Sequence, residues 1–133
     1  MKLYILKKIL PVMALLICSM SLSAEVYRSV YKGKIAGKNV RAEIYLDDED
    51  YSVKGTYYYY NSDGERLSSD LNLKGVCNPI GPTRNIYTLT EYTPEGTYSG
   101  TWNANFDVMS NEMTGTITNK KAKSYSINLV QTN

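Results

Sequence analysis

The side chains able to do chemistry here are carboxylates, tyrosines and cysteine, because none of the 133 residues is histidine. That absence removes histidine general bases and histidine-ligated metals. Cys18 and Cys77 are the only cysteines, too few for a cysteine zinc site. With no histidine there is also no Cys-His nucleophile pair. No glycine-rich phosphate loop leads into a helix, since no helical period is present.

Two carboxylate features stand out. The run "DDED", Asp47 to Asp50, lacks the alternating oxygen ligands, central glycine and distant glutamate of a calcium loop, and reads as a solvated acidic turn. In "NIYTLTEY", residues 85–92, Tyr87, Leu89 and Glu91 share one face of a strand while Ile86, Thr88, Thr90 and Tyr92 share the other. If Leu89 faces a core, Glu91 lies inside or at its mouth, a costly place for a charge unless it is paired. A rim carboxylate beside the 93–96 turn is the plainer alternative. No second inward acid accompanies Glu91, so the carboxylate pair of a glycosidase is missing. A lone carboxylate without a positioned partner is a poor start for any enzyme. The expectation is therefore a non-enzymatic protein with no catalytic residue, no metal and no cofactor.

Tyrosine is the unusual component, with 13 copies, four of them consecutive at Tyr57 to Tyr60 in "VKGTYYYYNSDGERL". Strand alternation splits that run. Val53, Gly55, Tyr57 and Tyr59 share the face opposite Lys54, Thr56, Tyr58 and Tyr60. Lys54 prefers water, so Tyr57 and Tyr59 are expected inside and Tyr58 and Tyr60 outside.

The same alternation runs through the chain from about residue 27, interrupted by short turns. Eight strands are predicted, at about 27–36, 39–47, 51–61, 65–76, 85–93, 96–106, 112–119 and 122–131. Most connections are short, which joins neighbouring strands antiparallel in an up-and-down order. Expected inward sets include Val40, Ala42, Ile44 and Leu46; Leu67, Leu71 and Leu73; Tyr98, Trp102, Ala104 and Phe106; Met113 and Ile117; and Tyr125, Ile127 and Leu129. The outward sets are hydroxyl, amide and charge, unlike the apolar belt of an outer-membrane barrel. A pattern of large-x-Gly-x-large recurs at Gly33, Gly55, Gly75, Gly100 and Gly115. Glycine weakens a strand, and five inward copies suit a sheet that coils until it closes. The predicted fold is all-β: a single antiparallel eight-stranded up-and-down β-barrel, a size whose interior is just filled or holds one small ligand.

The first 24 residues read as an export signal. Lys2, Lys7 and Lys8 precede an apolar run from Ile9 to Met20, and "SLSA" precedes Glu25. Cleavage is expected after Ala24, or after Ser23 given Leu22, leaving residues 25–133 as one β-barrel domain, periplasmic or secreted. The run is too short for a membrane span. Cys18 follows Ile17, where a lipoprotein signal needs a small residue, so lipidation is not expected. Removing three lysines leaves 12 basic and 13 acidic residues, a net charge of −1. No basic field then argues for nucleic acid or an anionic membrane. Cys77, alone after cleavage, reads as a small buried apolar side chain, with an intermolecular disulfide or reactive thiol as the sharper alternative.

The meander of short strands, with "VKGTYYY" and "YSGTWNA" as its strongest phrases, resembles the lipocalin and avidin group of ligand-binding barrels. Gly55-Thr56-Tyr57 is similar to a phrase on an early avidin strand. Lipocalins carry Gly-x-Trp on their first strand, whereas Gly100-Thr101-Trp102 falls on the sixth here; avidins close their site with several tryptophans, and this chain has one. The resemblance implies a fold and leaves the ligand open.

Two functional expectations follow. One is an exported β-barrel that binds a protein partner, as an inhibitor of an envelope-acting enzyme or an immunity protein, through its loops or through outer Tyr45, Tyr58 and Tyr60. The alternative is a periplasmic carrier holding a small amphipathic ligand among inner Tyr57, Tyr59, Tyr87, Glu91, Tyr98 and Trp102.

Overall fold

The computed structural model describes residues 25–133. The expected leader, its cleavage point and Cys18 fall outside the described residues. Eight strands follow in order: β1 (Val26–Ile35), β2 (Lys38–Asp47), β3 (Ser52–Tyr59), β4 (Leu71–Pro79), β5 (Arg84–Tyr92), β6 (Tyr98–Asp107), β7 (Glu112–Asn119) and β8 (Ser124–Gln131). Each pairs antiparallel with the next, and β1 pairs with β8 from Tyr31 opposite Gln131 to Ile35 opposite Ile127. The sheet is a closed barrel, as the alternation predicts. No helix of the described residues is long and apolar enough to cross a membrane.

Burial follows the two-residue period. On β2, Val40, Ala42 and Ile44 are buried while Arg41, Glu43 and Tyr45 are half-buried on the outside. Trp102, Tyr31, Tyr57, Leu89 and Met113 fill the interior. The β1–β2 hairpin turns on Ala36 and Gly37, both at positive φ (54° and 78°), the left-handed pair that a two-residue hairpin needs.

The inward glycines are sites of strand-on-strand contact. A Cβ on Gly33 would lie 2.1 Å from the Asn128 carbonyl oxygen, one on Gly75 2.1 Å from that of Thr88, and one on Gly115 2.0 Å from that of Asn103. At all three the neighbouring strand's backbone occupies the space of a side chain. That overlap is how the sheet coils tightly enough to close.

Expectations about facing are corrected ahead of β4 and at the start of β6. The fourth strand begins at Leu71 and not near residue 65, and Leu67, expected inside, is 64% exposed. The intervening polar residues satisfy the backbone themselves: Asn61 Oδ1 accepts from the amides of Asp63 and Glu65, and Ser68 Oγ accepts from the Tyr59 amide. Tyr98 is the second correction. A β-bulge on β6 pairs Tyr92 with Tyr98 but Glu91 with Gly100, leaving Ser99 as the extra residue. The bulge turns Tyr98 out, 39% exposed, with its hydroxyl 3.1 Å from Thr101 Oγ1.

The barrel end holding the 48–51, 80–83 and 108–111 turns is stitched by backbone hydrogen bonds between neighbours. Asp48 donates to Glu25, Cys77 to Tyr51, Val108 to Thr83, Gln131 to Asn111 and Thr132 to Val30. Cys77 is a free buried thiol, 3% exposed, and burial pushes its pKa up, so it is packed as an apolar group.

The glycine contacts are testable. Gly115→Ala is expected to lower unfolding stability in urea by at least about 2 kcal/mol, the upper range for an overpacked core. Thr116→Ala on the outer face should change it by less than about 0.5 kcal/mol.

Candidate functional site

The opposite end of the barrel, where the 36–37, 60–70, 93–97 and 120–123 connections lie, is concave. A cavity of about 250 Å³ opens there among Ile35, Ala36, Lys38, Tyr57, Tyr59, Glu91, Ser99, Ile117, Asn119 and Tyr125. Glu91 is the only buried polar or charged residue among those described, 7% exposed. It reaches this position because β5 alternates strictly, with Tyr87, Leu89 and Glu91 buried in succession. Across the ladder it faces Leu73 on β4 and Gly100 on β6.

Three neutral donors converge on the Glu91 carboxylate. The Tyr57 hydroxyl donates to Oε1 at 2.7 Å, the Trp102 indole Nε1–H donates to the same oxygen at 3.0 Å, and Ser99 Oγ donates to Oε2 at 2.7 Å. A carboxylate has about four acceptor positions, so this arrangement leaves roughly one free. Tyr57 lies against Trp102, with ring centroids 5.3 Å apart, and edge-on to Tyr59 at 5.6 Å. Burial, reinforced by the neighbouring carboxylate, pushes the Tyr57 hydroxyl pKa far up, so it remains a donor. Burial raises Tyr59 as well.

The six interior candidates therefore separate. Tyr57, Tyr59 and Glu91 line the mouth, and Trp102, fully buried, stands behind Glu91 and bonds it through the indole. Tyr87 lies four residues back along β5, about 13 Å away, opposite Cys77 and Ala104 in the other half of the core. Burial pushes its hydroxyl pKa up. Tyr98 is outside. Tyr125, expected inside, stands at the rim and is 36% exposed.

The exterior tyrosines separate as well. Tyr58 and Tyr60 meet edge-on at 6.4 Å, and the Arg66 guanidinium lies 4.0 Å from the Tyr58 ring centre. Arg66 is held there by Asp70 at 2.8 Å and by pairing with Tyr60. Tyr45 is four residues of register away, opposite Lys54, and donates to Glu43 Oε1 at 2.9 Å. The two tyrosine groups do not form one patch.

Ser99, Lys38 and Asn119 belong to the mouth and were not anticipated from sequence. Simple alternation places Ser99 outside, and only the bulge brings it in. Lys38 and Asn119 sit at strand ends, where period two carries no information about a rim. No group of three metal-ligating side chains occurs among the described residues.

Glu91→Ala would leave the Tyr57 hydroxyl and Trp102 indole without an acceptor. Unfolding stability is expected to fall by about 3 kcal/mol, at roughly 1–3 kcal/mol per stranded donor. Glu91→Gln keeps an oxygen toward both donors and should cost less than half as much. A second measurement concerns Glu43. Bonds from Arg28, Tyr45 and Arg41 hold its carboxyl at about 2, against an ordinary 4.5. A depressed carboxyl contributes stability that is complete above pH 4.5 and is lost as pH falls through about 2. Melting temperature should therefore decline less steeply over that interval in Glu43→Gln than in the unaltered chain.

Compared with protein-family models, curated proteins and solved structures, the chain matches none of them.

Proposed function

We propose that this chain is a non-enzymatic binding barrel that takes a compact hydroxylated ligand, of monosaccharide size, in the mouth above Glu91. The observation that carries the reading is a carboxylate buried at the base of an open 250 Å³ cavity and held there by three donors. Such a group is pre-organised to accept a hydroxyl from a ligand without rearranging. Its surroundings suit a sugar: the Tyr59 and Tyr125 rings, the Asn119 amide and the Lys38 ammonium at the rim. Lys38 also disfavours a cationic ligand, which would otherwise compete for a carboxylate. An eight-stranded up-and-down barrel resembles the lipocalin and avidin group in strand number and order, and that resemblance favours binding over turnover. Export to the periplasm or beyond fits the leader-like first 24 residues.

A protein partner is the second reading, and one observation favours the loops over the outer tyrosines. Tyr51, Ile80, Val108 and Met109 stand exposed on the stitched end of the barrel, beside the acidic 47–50 turn. An apolar rim with acidic neighbours suits a basic partner, as an inhibitor or immunity protein would meet.

Native mass spectrometry on protein isolated gently from its own host separates the two. A small bound mass, whose removal alters emission from the single tryptophan Trp102, supports the mouth site. Added monosaccharides should restore that emission, and Glu91→Gln should weaken the response. A bound polypeptide with no small mass favours the partner reading. No bound mass, together with Trp102 emission indifferent to neutral sugars, would remove the mouth proposal.

A further inference from the structure

The outer face of the barrel carries an arrangement unrelated to the mouth. Across β2 to β5, one row reads Tyr45, Lys54, Lys74, Thr90, and the next reads Glu43, Thr56, Asn72, Tyr92. Lys54 and Lys74 are directly opposed, with Cα atoms about 5 Å apart. Like charges in that position destabilise a sheet. Neither lysine has an acidic partner among the described residues, although carboxylates border them. Glu43 is taken by Arg28, Arg41 and Tyr45, and Asp70 by Arg66. Asp47, the other diagonal neighbour of Lys54, accepts from the Glu49 amide and forms no ion pair with it, so the paired lysines are left without a salt bridge among the described residues.

The surface there is also hollow. A groove of about 390 Å³ runs over Lys54, Thr56, Asn72 and Lys74, walled by Tyr45 on one side and Tyr92 on the other. Gly55 forms part of its floor, where β3 approaches β2 closely enough that a Cβ would lie 2.6 Å from the Glu43 carbonyl oxygen. The Tyr45 ring is fixed by its bond to Glu43 Oε1.

We propose that this groove is a second binding site, for an oxyanion carried on a ring, such as a sugar bearing a phosphate, sulfate or carboxylate. The anion sits between the two ammonium groups and cancels their repulsion. Thr56 and Asn72 supply neutral donors beside it, and the ring lies against Tyr45 or Tyr92. Lysine suits this role because its ammonium is a mobile point charge that can approach an anion from either strand.

The test uses the folded chain at constant ionic strength, with amide shifts recorded residue by residue. The probes are inorganic phosphate, glucose 6-phosphate and glucose. Glucose 6-phosphate should shift the amides of residues 54–56 and 72–74 and raise the melting temperature. Inorganic phosphate should shift the same amides with weaker affinity, and glucose should leave them unmoved whatever it does at the mouth. A Lys54→Gln, Lys74→Gln double variant should lose affinity for glucose 6-phosphate at least about tenfold, the expected scale for charge-assisted bonds. In anion-free buffer it should melt at the same temperature or higher, since the opposed charges are gone. Equal affinity in the double variant, or shifts in these amides that sodium chloride reproduces, would overturn the proposal. So would equal shifts with glucose.

Discussion

The structure depends on how closely neighbouring backbones approach at a few positions. Eight strands close into a small cylinder only if the sheet coils hard, and coiling brings one strand's carbonyl into the space of a side chain on the next. At Gly33, Gly75 and Gly115 that space is already filled by backbone. Everything inside the barrel inherits its position from these contacts. They set the curvature, the curvature sets the interior width, and the width is one that Trp102, Tyr57 and Tyr31 can span. Tyrosine in the core then follows from geometry, because a long rigid ring reaches across a barrel where leucine would leave a gap.

A core built from tyrosine and tryptophan must place polar atoms. For Tyr57 and Trp102 the barrel solves that problem locally, with one carboxylate. Glu91 accepts from two of the largest side chains in the interior, and the cost of burying it is offset by three donors. The same knot has two consequences. It fixes the rings of Tyr57 and Trp102, and it presents the carboxylate to the opening at the mouth. Structural and recognition roles therefore rest on the same atoms.

Much of this was legible in the residues. Alternation against Lys54 sorts the four consecutive tyrosines and the glycine recurrence implies coiling, while the mixed face of β5 leaves Glu91 between the interior and the rim until the fold buries it. Three features were not legible, each for a physical reason. Ser99 and Tyr98 exchange faces because a bulge inserts one residue, and strict period two has no means of registering an insertion. Leu67 was assigned to a strand because it fits the alternation, but Asn61 and Ser68 offer the backbone nearer hydrogen-bond partners than a sheet would. Sequence alone sets Tyr45 beside Tyr58 on neighbouring outer faces, because it does not reveal the register, which turn length and coiling fix together. The ladder sets Tyr45 opposite Lys54 instead. The groove between Lys54 and Lys74 is hidden for the same reason, since nothing local indicates that they stand opposed.

The pairing of the first strand with the last carries a consequence for how the molecule comes into being. Val26–Ile35 gains its second neighbour only from Ser124–Gln131, about a hundred positions later. Until those residues arrive, the nascent sheet keeps two raw margins, each able to recruit a stranger's backbone. Such distant partners also make acquisition of the final shape slow. A chain wired this way gains from staying unfolded, or in the care of a chaperone, until its eighth strand has been made.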